Sequence, residues 1–242
     1  MEMEYGICRQ AVVPMRADNS HRSEMVSQML FNETCCVLAE HGEWLRIATT
    51  HDGYEGWVVA AQIEAIDKAS FDEINAKKKF YVGEAVTCSS EGLYLTLGTP
   101  LYGMSDAAVE APAVFDPAVM ISNARKLLGT PYLWGGRTVM GIDCSGFVQI
   151  CARMAGINLP RDASQQVNCG EPVYFLQEAK SGDLAFFSNE NGAIVHVGML
   201  LSNEQIIHAS GKVRIDSIDN EGIFNADLRK HTHHLTAIKR LS

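Results

Sequence analysis

Three side chains of this sequence have the types and spacing for shared chemistry: Cys144, His196 and His208. A thiol attacks a carbonyl only when a base takes its proton, and an imidazole base works best when a further group orients it. Cys144 follows a glycine-punctuated loop, Thr130-Pro131-Tyr132-Leu133-Trp134-Gly135-Gly136-Arg137-Thr138-Val139-Met140-Gly141-Ile142-Asp143. It opens a segment in which Phe147, Val148, Ile150, Cys151 and Met154 recur at helical spacing before Gly156. That spacing predicts about three turns of helix with Asp143 as N-cap and Cys144 as the first residue. The unpaired amides and the positive dipole end there are expected to lower the thiol pKa and to steady an oxyanion.

The elements that must bring histidines to this thiol are two apolar stretches, Ala193–Leu201 and Gln205–Ser210, which read as strands joined by a tight Ser202-Asn203-Glu204 turn. A three-residue loop pairs residue 201 with 205 and therefore 198 with 208. His196, Gly198 and His208 then share one face, with the two histidines diagonal at about 7 to 8 Å between Cα atoms and only glycine opposite His208. A two-residue loop would reverse the parity and separate them. Cysteine, histidine and a second polar residue in that chain order form a papain-like arrangement of nucleophile, base and orienting group.

Pro131-Tyr-Leu-Trp-Gly-Gly136, Asp143-Cys-Ser-Gly-Phe-Val148, His196-Val-Gly-Met199 and Ile207-His-Ala-Ser210 together resemble the NlpC family of bacterial cell-wall cysteine peptidases, over roughly Asp116 to Ser242. The resemblance implies Cys144 as nucleophile, His196 as general base, His208 as third triad member and Tyr132 beside the nucleophile as an oxyanion contact. It is strongest to the γ-D-glutamyl-L-diamino-acid endopeptidases, also called dipeptidyl-peptidase VI. In that subfamily the counterparts of Asp143, Ser145 and Asp162 contact substrate, and Asp162 contributes to recognition of a free amine. Ala163 departs from the serine common in the family at that position. Asp183, in the turn Lys180-Ser-Gly-Asp183 before a buried strand, reads as structural.

Upstream, residues 5–67 read as short strands, Cys8–Val13, Thr34–Glu40, Trp44–Thr49 and Tyr54–Ala60, broken by His41-Gly-Glu43 and His51-Asp-Gly53. Val12–Arg16, His21–Gln28, Gly42–Ile47 and Gly53–Val58 resemble a bacterial SH3-like domain. In the endopeptidase subfamily such a domain walls off one end of the cleft, and the positions carried over for substrate contact are Glu24 and Tyr54. Residues 69–79 suggest a helix, and 79–82, 85–89 and 93–97 suggest strands. Asp116-Pro117 reads as N-cap and first residue of a helix running to Gly129.

The expected fold is thus α+β: a bacterial SH3-like β-barrel over 1–67, a second degenerate barrel or structured linker over 68–112, and a papain-like NlpC-type catalytic domain over 113–242. A net charge of −9 and 47% apolar content exclude nucleic acid as a natural partner and allow a large core. Neither a basic-then-apolar leader nor a run of about 20 apolar residues appears, so the expectation is a cytoplasmic protein with no membrane partner. Seven cysteines without CxxC spacing suit a reducing compartment. A monomer is favoured, and no cofactor or metal is expected. Metal binding through His231 and His233, which could share a strand face, is the competing reading for the histidines. A non-catalytic papain-like binder and an acyl or amide transferase using the same triad are the others. The favoured activity is hydrolysis of the γ-D-glutamyl to diamino acid bond in peptidoglycan-derived peptides with a free N-terminal L-alanine, during cell-wall recycling. The alternative substrate is intact wall outside the cell.

Overall fold

Seven antiparallel strands form in the N-terminal part of the chain, and buried positions alternate regularly in those over 12–16 and 55–59. They are β1 (Tyr5–Cys8), β2 (Val12–Arg16), β3 (Met25–Leu30), β4 (Thr34–His41), β5 (Trp44–Thr49), β6 (Glu55–Val59) and β7 (Ile63–Ile66). In this computed structural model, which describes residues 3–78, 80–102 and 107–242, they form one sheet in the order β3-β2-β6-β5-β4-β1-β7. Its inner face buries Cys8, Val13, Met15, Met29, Cys35, Leu45, Ile47, Val58 and Ile63. The strand expected over Cys8–Val13 is instead two, because the exposed Arg9 and Gln10 turn the chain between β1 and β2. β3 was not anticipated as a strand; it pairs along β2 from Val12↔Leu30 to Arg16↔Met25.

Helix α1 (Lys68–Ala76) follows, with Asp67 accepting from the Ser70 amide. Five short strands come next, β8 (Phe80–Val82), β9 (Val86–Cys88), β10 (Tyr94–Thr96), β11 (Pro100–Leu101) and β12 (Ala108–Glu110), in sheets ordered β11-β8-β12 and β10-β9. Lys79, expected to begin a strand, lies outside the described residues.

The chain falls into two units. The first runs to Ala111 and also takes in Trp134–Val139; the second comprises Pro112–Leu133 and Met140–Ser242. In the first, strand β13 (Arg137–Thr138) brings a fully buried guanidinium to Glu33 at 2.9 and 3.0 Å and to His51 Nε2 at 3.1 Å. Such a pair holds its place because unpairing either buried charge would cost about 3–5 kcal/mol.

The second unit begins with α2 (Pro117–Lys126), capped by the Asp116 carboxylate on the Ala118 and Val119 amides. Strand β14 (Gly141–Ile142) leads into α3 (Cys144–Met154), whose N-cap is Asp143. Gly156 ends that helix at φ +96°, where a Cβ would sit 2.3 Å from the Pro112 carbonyl. After α4 (Ala163–Gln166) come β15 (Glu171–Val173), β16 (Leu184–Ser188), β17 (Ile194–Leu200), β18 (Gln205–Ser210), β19 (Lys212–Ile218), β20 (Gly222–Asn225) and β21 (Lys230–Arg240). Their order is β15-β21-β16-β17-β18-β19-β20, and β20 pairs back onto β21, closing a ring of six strands with β15 appended. Leu176, Ala185, Phe187, Leu200, Ile206, Ile218, Ile223 and Ile238 form one buried cluster. α3 packs against β17 and β18.

Candidate active site

Strand periodicity decides which side chains meet. Gly198 faces His208, Met199 faces Ile207 and Leu200 faces Ile206, the register a three-residue loop imposes. Along β18 and β19, His208 faces Arg214 and Ile206 faces Asp216. Because side chains alternate with period two, His196, His208 and Asp216 share the face that also carries Leu200, Ile206 and Ile218. That face is apolar at one end and holds a polar chain at the other.

The chain is a connected relay. His196 Nε2 lies 2.9 Å from His208 Nδ1, and His208 Nε2 lies 3.0 Å from Asp216 Oδ2. Arg214 grips the same carboxylate with Nη2 2.8 Å from Oδ1 and Nε 2.7 Å from Oδ2, and reaches Asp227 at 3.0 Å. Relative exposure is 5% for His196, 0% for His208 and 7% for Asp216, so these bonds are made away from water. Burial pushes the Asp216 carboxyl up, but hydrogen bonds from His208 and Arg214 outweigh it and hold it below the usual carboxylate range. Burial, with His208 and His233 nearby, pushes His196 well below an ordinary imidazole. His196 is therefore a neutral base near pH 7.

Cys144 is the first residue of α3, which packs on β17, and it lies within electrostatic reach of the amide of Val197, the residue after His196. The expected depression of its pKa is not what the structure shows. Burial, reinforced by the Asp143 charge, pushes the thiol up to about 11, against the opposing pull of the Val197 and Ser145 amides and Arg161. A helix end is too weak to offset desolvation of a nearly enclosed thiolate. The resting pair is thus thiol and neutral imidazole, and proton transfer to His196 accompanies attack.

Tyr132 is placed by backbone bonds to Gly211 and by a parallel bridge to Ile142. Burial, with Cys144 and Asp143 close by, raises its hydroxyl pKa, so the phenol stays protonated within electrostatic reach of the nucleophile.

The acidic positions differ from expectation. Asp143 caps α3 through Gly146 N at 2.7 Å and is clasped by Arg161, Nη1 to Oδ1 at 3.0 Å and Nη2 to Oδ2 at 2.5 Å. Arg161 Nη1 also donates to Ser145 Oγ at 2.9 Å. All three residues are buried, so Asp143 already owns a cation. Asp162 is the N-cap of α4, its amide 3.5 Å from Gln165 Oε1. Asp183 is clamped by Arg240 Nε at 2.8 Å. Glu24 and Tyr54 belong to the first unit: Glu24 accepts from the Trp134 indole, and Tyr54 is half-buried against the barrel core.

His231 and His233 also part company. His231 lies 2.9 Å from Asp219 and 3.1 Å from Glu221, acidic partners that the sequence reading did not find because β20 and β21 bring them together. His233 stacks on His196, ring centroids 4.2 Å apart at 29°, rather than lying on the surface. Asp216 and Arg214 were missed as well. The signal for them was available in the alternation of Arg214 and Asp216 after Gly211, had the second hairpin register been followed across from His208.

The model of the NlpC/P60 family matches residues 129–232, and that of the bacterial dipeptidyl-peptidase Sh3 domain matches residues 15–63. The γ-D-glutamyl-L-lysine dipeptidyl-peptidase of Bacillus subtilis (strain 168) is 31% identical over 213 residues, spanning 76% of this chain and 71% of that protein. The probable endopeptidase NlpC of Escherichia coli (strain K12) is 44% identical over 98 residues, 38% of this chain and 62% of that protein. Among solved structures, an NlpC/P60 family protein from Bacillus cereus ATCC 10987 matches with a TM-score of 0.79 at 17% identity, covering 98% of this chain and 99% of that one. At that identity the likeness is one of fold.

Proposed function

The chain belongs to the NlpC/P60 family of cysteine peptidases, a peptidoglycan-related endopeptidase, and from that premise we propose that it cleaves the γ-D-glutamyl to diamino acid bond of released wall peptides bearing a free N-terminal L-alanine. The observation that carries this finer reading is that similarity to a γ-D-glutamyl-L-lysine dipeptidyl-peptidase extends through most of both chains, rather than stopping at the catalytic stretch. Cys144 attacks the scissile carbonyl as its proton passes to His196. The Cys144 and Ser145 amides at the start of α3, with the Tyr132 phenol, steady the oxyanion. His196 then returns the proton to the leaving amine, and water completes hydrolysis of the thioester.

Recognition of the free α-amine falls to Asp162, since Asp143 is neutralised by Arg161. Such selectivity confines the enzyme to peptides already freed from glycan, which is a recycling role in the cytoplasm. The test compares kcat/KM for L-Ala-γ-D-Glu-L-Lys, its diaminopimelate analogue and their N-acetylated forms. A site built around a charged partner discriminates against its absence by about 10⁴-fold or more. Equal rates on free and acetylated peptides would overturn the reading and favour intact wall as substrate. The variant Asp162→Ala should narrow the ratio.

A further inference from the structure

We propose that Asp216 is a positioning residue of the peptidase, fixing where protons sit on both relay imidazoles and so leaving His196 Nδ1 bare to receive the proton of Cys144. The inference rests on the cysteine-peptidase reading of Cys144 and His196, but not on which peptide is cleaved.

Arg214 offers only donors: its Nη2 donates to Asp216 Oδ1 at 2.8 Å and reaches Asp227 at 3.0 Å, and its Nε lies 2.7 Å from Asp216 Oδ2 in the same ion pair. A carboxylate held in that fork is ionised and accepts only. The 3.0 Å contact to His208 Nε2 is therefore made by an Nε2–H that donates to Asp216 Oδ2. A neutral His208 protonated at Nε2 has a lone pair at Nδ1. The 2.9 Å contact to His196 is then a bond donated by His196 Nε2–H. Neutral His196 carries one ring proton, so its Nδ1 is a lone pair, and Nδ1 is the nitrogen not engaged by His208. One acceptor at the end of β19 thus dictates the tautomer of a ring two bonds away. When His196 takes the thiol proton at Nδ1, its Nε2–H still donates to His208, and the new positive charge is answered through His208 by the ionised Asp216.

The opposite proton arrangement is also chemically definite. With His208 doubly protonated, its Nδ1–H would donate to His196 Nε2, forcing the His196 proton onto Nδ1 and leaving no base toward the thiol. An isosteric Asp216→Asn variant should produce a related reversal. Arg214, having only donors, draws the amide oxygen to itself and turns the amide NH2 toward His208 Nε2. His208 becomes the Nδ1–H tautomer and His196 follows.

The deciding experiment is ¹⁵N NMR of histidine-labelled resting enzyme, which reports which nitrogen of each ring is protonated and needs no substrate. Wild type should show His208 as Nε2–H and His196 as Nε2–H; Asp216→Asn should show both as Nδ1–H. By kinetics, Asp216→Asn should lose about 10–100-fold in kcat, a smaller loss than for a carboxylate touching the base directly, with KM changed by less than about threefold. Asp216→Glu, which restores an acceptor-only group, should recover part of that loss. A wild-type spectrum with His196 protonated at Nδ1 overturns the proposal, even if the variants fail to fold. So does a folded Asp216→Asn enzyme with unchanged kcat. Failure of the substrate reading would leave the spectrum as described.

Discussion

Replacing Gly198 by alanine is a geometric probe of the relay that leaves every member of it in place. A Cβ at residue 198 would stand 2.8 Å from His208 Cβ and 2.8 Å from Ile206 Cδ1. Ordinary contact begins at 3.4 Å, leaving a shortfall of about 0.6 Å. Ile206 can rotate its terminal methyl away, but His208 Cβ is fixed to the backbone of β18, so the strand itself has to move. A shift of that size carried to the ring would lengthen the 2.9 Å His196–His208 bond to the edge of hydrogen bonding. Overpacking of this kind costs about 1–3 kcal/mol of stability. A misplacement approaching 1 Å costs up to about 100-fold in rate, so the expected result is kcat down about 10- to 100-fold with KM nearly constant. Steady-state kinetics on a free tripeptide, with a thermal melt for each variant, measures both. The double variant Gly198→Ala/Ile206→Ala separates the causes: it removes the Ile206 contacts at 2.8 and 3.0 Å and leaves the one with His208. Full kcat in the single variant, or its recovery in the double, would refute displacement of His208 as the reason glycine stands here.

Cys144→Ala should abolish turnover with its melting temperature little changed. Because His196 is held well below 6.5, wild-type kcat/KM should show no acid limb from this base between pH 6.5 and 8; a limb there that disappears in His208→Gln would contradict the neutral-pair reading. Arg161→Met strands the buried Asp143 carboxylate and should cost about 3–5 kcal/mol, read by chemical denaturation; a loss below about 1 kcal/mol would show the pair to be dispensable. Burial is the main cause that pushes His233 down to about 4, so between pH 6.5 and 4 the unfolded chain binds the extra proton and stability falls as pH drops. His233→Phe keeps a ring against His196 and should flatten the melting curve's pH dependence across that window, whereas an unchanged slope would assign it elsewhere.

Local rules reached far into this site. The cap, helix and nucleophile were legible because Asp143, the spacing from Phe147 to Met154 and Gly156 all act within a few residues. The histidine register was legible because one short loop sets it. What escaped depends on partners chosen by tertiary structure. Arg161 could have served Asp162 next door, yet it serves Asp143, since only that carboxylate is buried where a guanidinium can fork onto it. The thiol pKa was misjudged for the same reason: proximity to a helix end is visible in sequence, and enclosure is not. Asp216 needed two hairpin registers in succession, each able to reverse parity. Arg137, from the stretch just before the nucleophile, finds Glu33 more than a hundred residues earlier, and no periodicity announces such a pairing.

Closure of β20 onto β21 has a consequence for how this catalytic unit tolerates change. Strands β17, β18 and β19 each have a neighbour on both sides, and His208 at the centre of the relay is paired with Gly198 on one side and Arg214 on the other. Their amides should be among the slowest of the unit to exchange with solvent deuterium, opening only when the ring as a whole opens. Sequence drift in the connecting loops can then alter what is bound without detuning the proton chain, because its alignment is inherited from the ladder rather than renegotiated by each new loop.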